Sequence, residues 1–273
     1  MRRFAASLLL LVPTSLFAWG QAGHRITADV AERRLGKSSP ELKAALKLLG
    51  VAQLADVATK ADDLRNQLGT THTAEWHFVD IPLSASSYDP SRDCALSDCV
   101  IARIDQFRAI LANPKEKPAR RQEALLYLVH FVGDLHQPLH CDGDRQGENL
   151  LHVTVDGDHV PGNTKEDPKN DNLHFVWDVS LIEWEGLSEP AFVNHLFNET
   201  LNGRDPATLA GGTTLDWALQ SHKIAQDVVV ADGTDLDDTY MDNNAEVADE
   251  QLLIGGLRLA RVIKDALQPS PTP

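Results

Sequence analysis

One stretch restricts this chain more than any other: His130-Phe131-Val132-Gly133-Asp134-Leu135-His136-Gln137-Pro138-Leu139-His140. It follows an apolar run, Ala124 to Val129, that reads as a buried helix. His130 and Asp134 are four residues apart, so on a helix they share one face, about one turn apart. Pro138 marks a helix end, because the residue before proline avoids the helical region. A helix over about 119–136 follows, with His140 just beyond it. An imidazole and a carboxylate on one face of a buried helix are costly without a partner. A divalent metal ion is the natural partner; the plainer alternative is a buried helix with stray polar residues.

The 273 residues, 42% of them hydrophobic, suit one large domain or two small ones. Residues 1–18 read as a secretory signal. Arg2 and Arg3 give a basic start, Phe4 to Val12 an apolar core too short for a bilayer, and Ala18 a small residue for cleavage. A membrane anchor is the alternative, but no other stretch approaches 18 apolar residues. The expected mature chain starts at Trp19, is secreted or periplasmic, and has no membrane attachment. An oxidising compartment permits a disulfide. Cys94 and Cys99 flank a short polar loop and are expected to pair, leaving Cys141 as a buried thiol. The formal charge of −15 becomes −17 without Arg2 and Arg3. Such a chain lacks the basic surface of ordinary polyanion binders, so any phosphate chemistry must draw its positive potential locally, as from bound metal.

The remaining pattern is mostly helical. Arg25 to Leu35 ends at Gly36, and a helix opening at Ser39-Pro40 closes at Gly50. Further helical patterns cover 53–66, 100–111, 190–201, 213–230 and 244–267, and Asn172 is placed to cap one holding His174 and Asp178. Residues 75–80 read as extended. His152 to Val155 alternates and, with the Asp156-Gly157 turn, predicts a hairpin returning through His159-Val160. Residues 161–171 read as a loop, and 269–273 as a disordered tail. The acidic run 227–250 reads as a solvated connection; the EF-hand pattern is absent. The fold class is mostly α, in one domain over 19–268.

Five histidines and three aspartates recur in apolar or aromatic settings: His24, Asp62, His77, His130, Asp134, His140, His174 and Asp178. Neutral imidazole with carboxylate suits zinc, and eight side chains suit two or three ions. With WGQAGH, ADDLR, WHFVD, HFVGDLHQPLH, the following GEN, and NLHFVWD in this order, the chain resembles the S1/P1 nuclease family of zinc-dependent phosphodiesterases, related to bacterial zinc phospholipases C. The resemblance implies a phospholipase C/P1-like helical fold and three zinc ions. One ion would be held by Asp62, His77, His130 and Asp134. Another would take His24, the α-amino and carbonyl groups of Trp19, and Asp134 as a bridge. The third would take His140, His174 and Asp178. Asp62 and Arg65 would be catalytic, orienting the nucleophile and neutralising developing charge. Phe78 would stack a base, with Asp80 and Asn149 at its edge. The implied reaction is low-specificity hydrolysis of RNA and single-stranded DNA to 5′-mononucleotides by a monomer, with 3′-nucleotidase activity. Lys60 stands where the family often has Trp, where it either meets phosphate or sits in solvent. Gln220 replaces an acid, and 156–171 look enlarged. A zinc phospholipase C is the alternative enzyme, against which stand Asp178, where those enzymes usually carry Glu, and the Phe78-Val79-Asp80 base site. A structural zinc protein is the non-enzymatic alternative.

Overall fold

The computed structural model describes residues 19–65, 73–163 and 171–268. The expected signal segment and tail lie outside the described residues, as do Asn66 and residues 164–170 of the polar loop. The chain adopts the expected mostly α, single-domain architecture. Helix α1 (Gln21–Leu35) is followed by α2 (Pro40–Leu49). The Ser39 side chain accepts from Leu42 N–H, Pro40 occupies the first turn, and Gly50 closes α2 in the left-handed conformation. Short α3 (Lys60–Arg65) precedes α4 (Val100–Ala112) and the central α5 (Pro118–Asp134). Helix α6 begins as Leu173–Phe175, widens into a π-helical turn over Val176–Ser180, and continues as Leu181–Trp184. Then come α7 (Glu189–His195), α8 (Thr214–Val228) and the long α9 (Asp238–Leu267).

Helix α9 lies along α1, and α4 along α5. A Cβ on Gly256 would fall 2.4 Å from Val30 Cβ, so α9 approaches α1 at a distance that only glycine allows. One apolar cluster gathers Ile104, Leu111, Leu125, Leu128 and Phe131; a second gathers Trp19, Trp177, Phe192, Leu252 and Leu253. Helices α1 and α9 feed both clusters. The polar groups of α1 and α5 are therefore walled in, and His24, His130 and Asp134 are buried between apolar layers. The Cys94–Cys99 disulfide forms, and Cys141 is a buried free thiol, as expected.

Four segments differ from their sequence patterns. The helix over 53–66 is broken: Leu54–Val57 is a 3₁₀ turn and α3 starts afresh at Lys60. Asp56 Oδ2 accepts from Ala52 and Gln53 N–H, and Leu54 N–H donates to Glu32, so side chains cap the short turn as a separate element. Residues 74–77 form a 3₁₀ turn, with Phe78 as the first extended residue. The Asp156-Gly157 turn exists, with Val155 and Asp158 exchanging backbone hydrogen bonds, but His159 and Val160 are not in a strand. Strand β1 (Val153–Val155) pairs instead in parallel with β2 (Thr234–Leu236), with Val153 opposite Thr234. The acidic run is also ordered: it supplies β2 and the first turns of α9, whose cap is the Asp237 side chain accepting from Tyr240 N–H. Acidic side chains suit the positive end of a helix.

Candidate metal centre

Four elements bring the predicted donors together. Helix α5 presents His130 and Asp134 one turn apart, α3 presents Asp62, the 3₁₀ turn before Phe78 presents His77, and α1 presents His24. All five are buried. His77 Nδ1 lies 2.9 Å from Asp134 Oδ2 and 3.7 Å from Asp62 Oδ1. His130 Nε2 lies 3.2 Å from His77 Nδ1, 3.3 Å from Asp134 Oδ2 and 3.5 Å from Asp62 Oδ1. Donors about 2.0–2.1 Å from a tetrahedral ion stand about 3.3 Å apart, which these separations bracket. Among the described residues, Asp62 Oδ1 and Asp134 Oδ1 are buried and have no hydrogen-bond partner. Buried carboxylate oxygens in that condition are otherwise costly, and a cation satisfies both. Asp134 Oδ1 faces His24 Nε2 at 3.3 Å while Oδ2 faces His77 and His130, the geometry of a bridging carboxylate. Trp19 is buried, and Gly20 N–H donates to the Asp178 carbonyl, so the segment before α1 is tied to the same region.

A further group capable of holding a metal ion is His140, His174 and Asp178, with His174 Nε2 3.3 Å from Asp178 Oδ2. The ring orientations are set from behind. His130 Nδ1–H donates to Ala58 O, His140 Nδ1–H to His77 O and His174 Nδ1–H to Gly147 O, which points each Nε2 inward. Gln137 Nε2 holds Asp178 Oδ1 at 2.7 Å. Sequence reasoning missed these partners. Most are backbone carbonyls and carry no residue-type signal, and Gln137 was legible only as a buried amide inside the central motif. A Cβ on Gly133 would lie 3.0 Å from His24 Nδ1, so glycine there lets the His24 ring stack on His130, with centroids 3.8 Å apart.

Burial lowers the pKa of His77 and His140 well below the imidazole range and that of His174 to about 4. Neutral rings are the form that ligates metal. His130 differs: burial opposes its charge, but Asp134 and Asp62 outweigh burial and raise it to about 9. Burial pushes Asp134 and Asp178 well above the carboxylate range. A metal cation binding here displaces the protons such carboxyls hold.

Beside these groups is a cavity of about 360 Å³ whose walls include Arg65, Phe78, Asp80, His140, Asn149 and His174. Phe78 is half-buried, and desolvation together with the Asp93 and Glu75 carboxylates pushes Asp80 upward. Lys60 is not among its walls; its ammonium pairs with Asp63 at 3.1 Å on the exposed side of α3. The far wall is a left-handed turn. Arg145, Gln146, Gly147 and Glu148 have φ of 46°, 60°, 61° and 63°. Each non-glycine residue held so costs about 1–2 kcal/mol.

This arrangement, imidazole and carboxylate clusters opening on a cleft with an arginine and an aromatic ring, suits hydrolysis of a phosphate ester. Residues 19–268 match the family model described as S1/P1 Nuclease. The chain is 30% identical over 276 residues to Nuclease P1 of Penicillium citrinum, covering 90% of this chain and 97% of that protein. It is 28% identical over 288 residues to Nuclease S1 of Aspergillus oryzae, covering 94% and 93% of the two chains. It is 28% identical over 284 residues to Endonuclease 1 of Arabidopsis thaliana, covering 94% and 89%. With that match running from Trp19 to Gln268 through every cluster described above, the chain belongs to the S1/P1 nuclease family, hydrolases that act on nucleic acid.

Proposed function

We propose that the protein is a zinc-dependent phosphodiesterase that cleaves RNA and single-stranded DNA to 5′-mononucleotides and also acts as a 3′-nucleotidase. The observation that carries this reading is the four-donor cluster of Asp62, His77, His130 and Asp134 near a cleft with Arg65 and Phe78 on its wall. In this reading those four side chains hold one zinc ion. His24, the Trp19 α-amino and carbonyl groups, and the second Asp134 oxygen hold another, and His140, His174 and Asp178 hold a third. The donor chemistry fits zinc. Bound zinc supplies Lewis acidity towards phosphate oxygens and a nucleophile competent near neutral pH.

The chain's own residues do the positioning. Asp62 orients the attacking oxygen through its carboxylate. Arg65 meets the charge that develops on the phosphate. Phe78 offers a ring face to an unpaired base, and Asp80 and Asn149 accept or donate at the base edge. Stacking tolerates every base, so sequence specificity is low, and it requires an unstacked strand, so duplexes are poor substrates. Export and removal of residues 1–18 belong to the same reading, because only cleavage frees the Trp19 amine to ligate. Adding one residue before Trp19 is expected to lower zinc content and activity together; unchanged values would remove the amine from the site.

The test is digestion of RNA, single-stranded DNA, duplex DNA and phosphatidylcholine by native, chelated and zinc-restored protein. Cleavage of the two unpaired substrates, lost on chelation and restored by zinc, is expected. Phospholipid turnover without nucleic acid cleavage, or full zinc loading with no turnover, sinks the reading.

A further inference from the structure

Glu148 is fully buried, yet it sits at φ +63° beside the cleft, in a conformation that few side chains adopt. Three of the four residues in the 145–148 turn are not glycine, so its local backbone hydrogen bonds are made against conformational strain. An ion pair across its own ends grips it, beside a side-chain contact between Glu148 and the buried Asp142. Arg145 Nη2 donates to Glu148 Oε1 at 3.1 Å, and Arg145 Nε lies 2.6 Å from Oε2. Arg145 is two-fifths exposed while the Glu148 side chain is sealed off. While the Glu148 carboxylate stays sealed it needs that guanidinium beside it, because removing the partner would leave a buried charge uncompensated.

The turn touches both halves of the site. Its Gly147 carbonyl receives the His174 Nδ1 proton, and a Cβ at Gly147 would lie 2.7 Å from Leu139 O, so the backbone is pressed against the His140 segment as well. Its Gln146 carbonyl receives the Asn149 side-chain amide at 2.8 Å, which fixes the direction of Asn149 at the cleft wall. Unwinding the turn would release His174 and Asn149 at once.

We propose that Glu148 is a positioning residue: clamped by Arg145, it holds the strained 145–148 turn that aims His174 at the metal and Asn149 at the nucleotide. The proposal rests on the zinc phosphodiesterase reading above and adds to it a residue that touches neither metal nor substrate.

The test uses the chain processed to Trp19 and four variants: Glu148→Ala, Arg145→Gln, Gln146→Gly and the double variant Glu148→Ala/Gln146→Gly. Three readouts are zinc per chain after dialysis, Kd for a nucleoside 5′-monophosphate, and kcat and KM on a dinucleotide. Glu148→Ala is expected to lose about one zinc per chain and to raise the nucleotide Kd about tenfold, in the range typical of outer-shell partners of metal ligands. Arg145→Gln, a change at a partly exposed residue, is expected to act in the same direction and less. The double variant is expected to recover much of the loss, since glycine at position 146 makes the left-handed conformation inexpensive. Rescue by a glycine is a signature that a direct charge effect does not produce. If Glu148→Ala and Arg145→Gln leave zinc content and Kd at wild-type values, or if the double variant shows no recovery, the proposal is overturned. If Glu148→Ala fails to fold, Arg145→Gln decides alone: a raised Kd supports the clamp and an unchanged Kd overturns it. A wild-type protein that cleaves no nucleic acid would instead refute the functional reading, leaving the zinc count as the readout for the turn.

Discussion

Asp134 shows most clearly how one side chain reaches two sets of candidate donors. One oxygen faces His24 and the other faces His77 and His130. Asp134→Asn replaces one of those oxygens by a donor that repels a cation. Metal content is expected to fall and hydrolysis to drop by about a hundredfold or more; elemental analysis beside a nuclease assay checks both. Arg65→Ala is a different kind of change. It leaves the donors in place, so zinc content should hold while kcat falls about a hundredfold to a thousandfold, as when one transition-state donor is removed. Retained kcat would exclude Arg65 from the reaction. Gln137→Leu should weaken metal retention about ten- to a hundredfold, because Gln137 holds Asp178 by its second oxygen. The donors were legible as residue types because buried histidine and aspartate need an explanation. Their carbonyl partners, at Ala58, His77 and Gly147, were not, because every residue has a carbonyl and only the fold selects which one faces a ring.

Helices with local stop and start signals came through well. Ser39-Pro40 and Gly50 bound α2, and Thr213 opens α8 with Asp216 in reciprocal capping. Elements decided by distant contacts did not. The 53–66 pattern looks helical, but a break there frees the Ala58 carbonyl for His130, 72 residues away. The hairpin expectation failed because β1 pairs with a strand about 80 residues on, and neither three-residue strand announces the other. Contact between α1 and α9 is the most sensitive of these long-range features. Gly256→Ala places a methyl group 2.4 Å from Val30 Cβ, and overpacking of this kind is expected to cost about 1–3 kcal/mol, read as a lower urea midpoint.

The whole molecule carries a strong negative charge, −15 formally, while its proposed substrates are polyanions. In the proposed reading the positive potential that meets phosphate comes from the metal groups and Arg65 on the cleft wall. Raising salt from 50 to 200 mM is expected to leave kcat/KM nearly unchanged or to raise it, where a binder with many phosphate contacts loses about 10³–10⁵ in affinity. A steep fall would point to a cationic surface that the sequence does not suggest. Stability should also respond to pH. Burial, followed by the Glu32 and Glu189 charges, raises the Asp29 carboxyl to about 6. The folded protein keeps a proton that the unfolded chain releases near pH 3.9, so this contribution is present below that pH and is lost as pH rises through about 6. Asp29→Asn should then raise Tm at pH 8 and leave it unchanged at pH 4; equal shifts at both values would exclude the titration.

Taken alone, the order of residues determined the helical class, the disulfide, the family and which histidines and aspartates gather as candidate metal donors. Periodicity, caps and clusters of costly polar groups are local properties, readable along the chain. Tertiary structure decided how those side chains are shared out, which carbonyl steers each ring, and that a left-handed turn forms the cleft wall. Each of these depends on groups tens of residues apart meeting within about 3 Å, and such distances are fixed by the packing of one helix on another rather than by any segment's own preference.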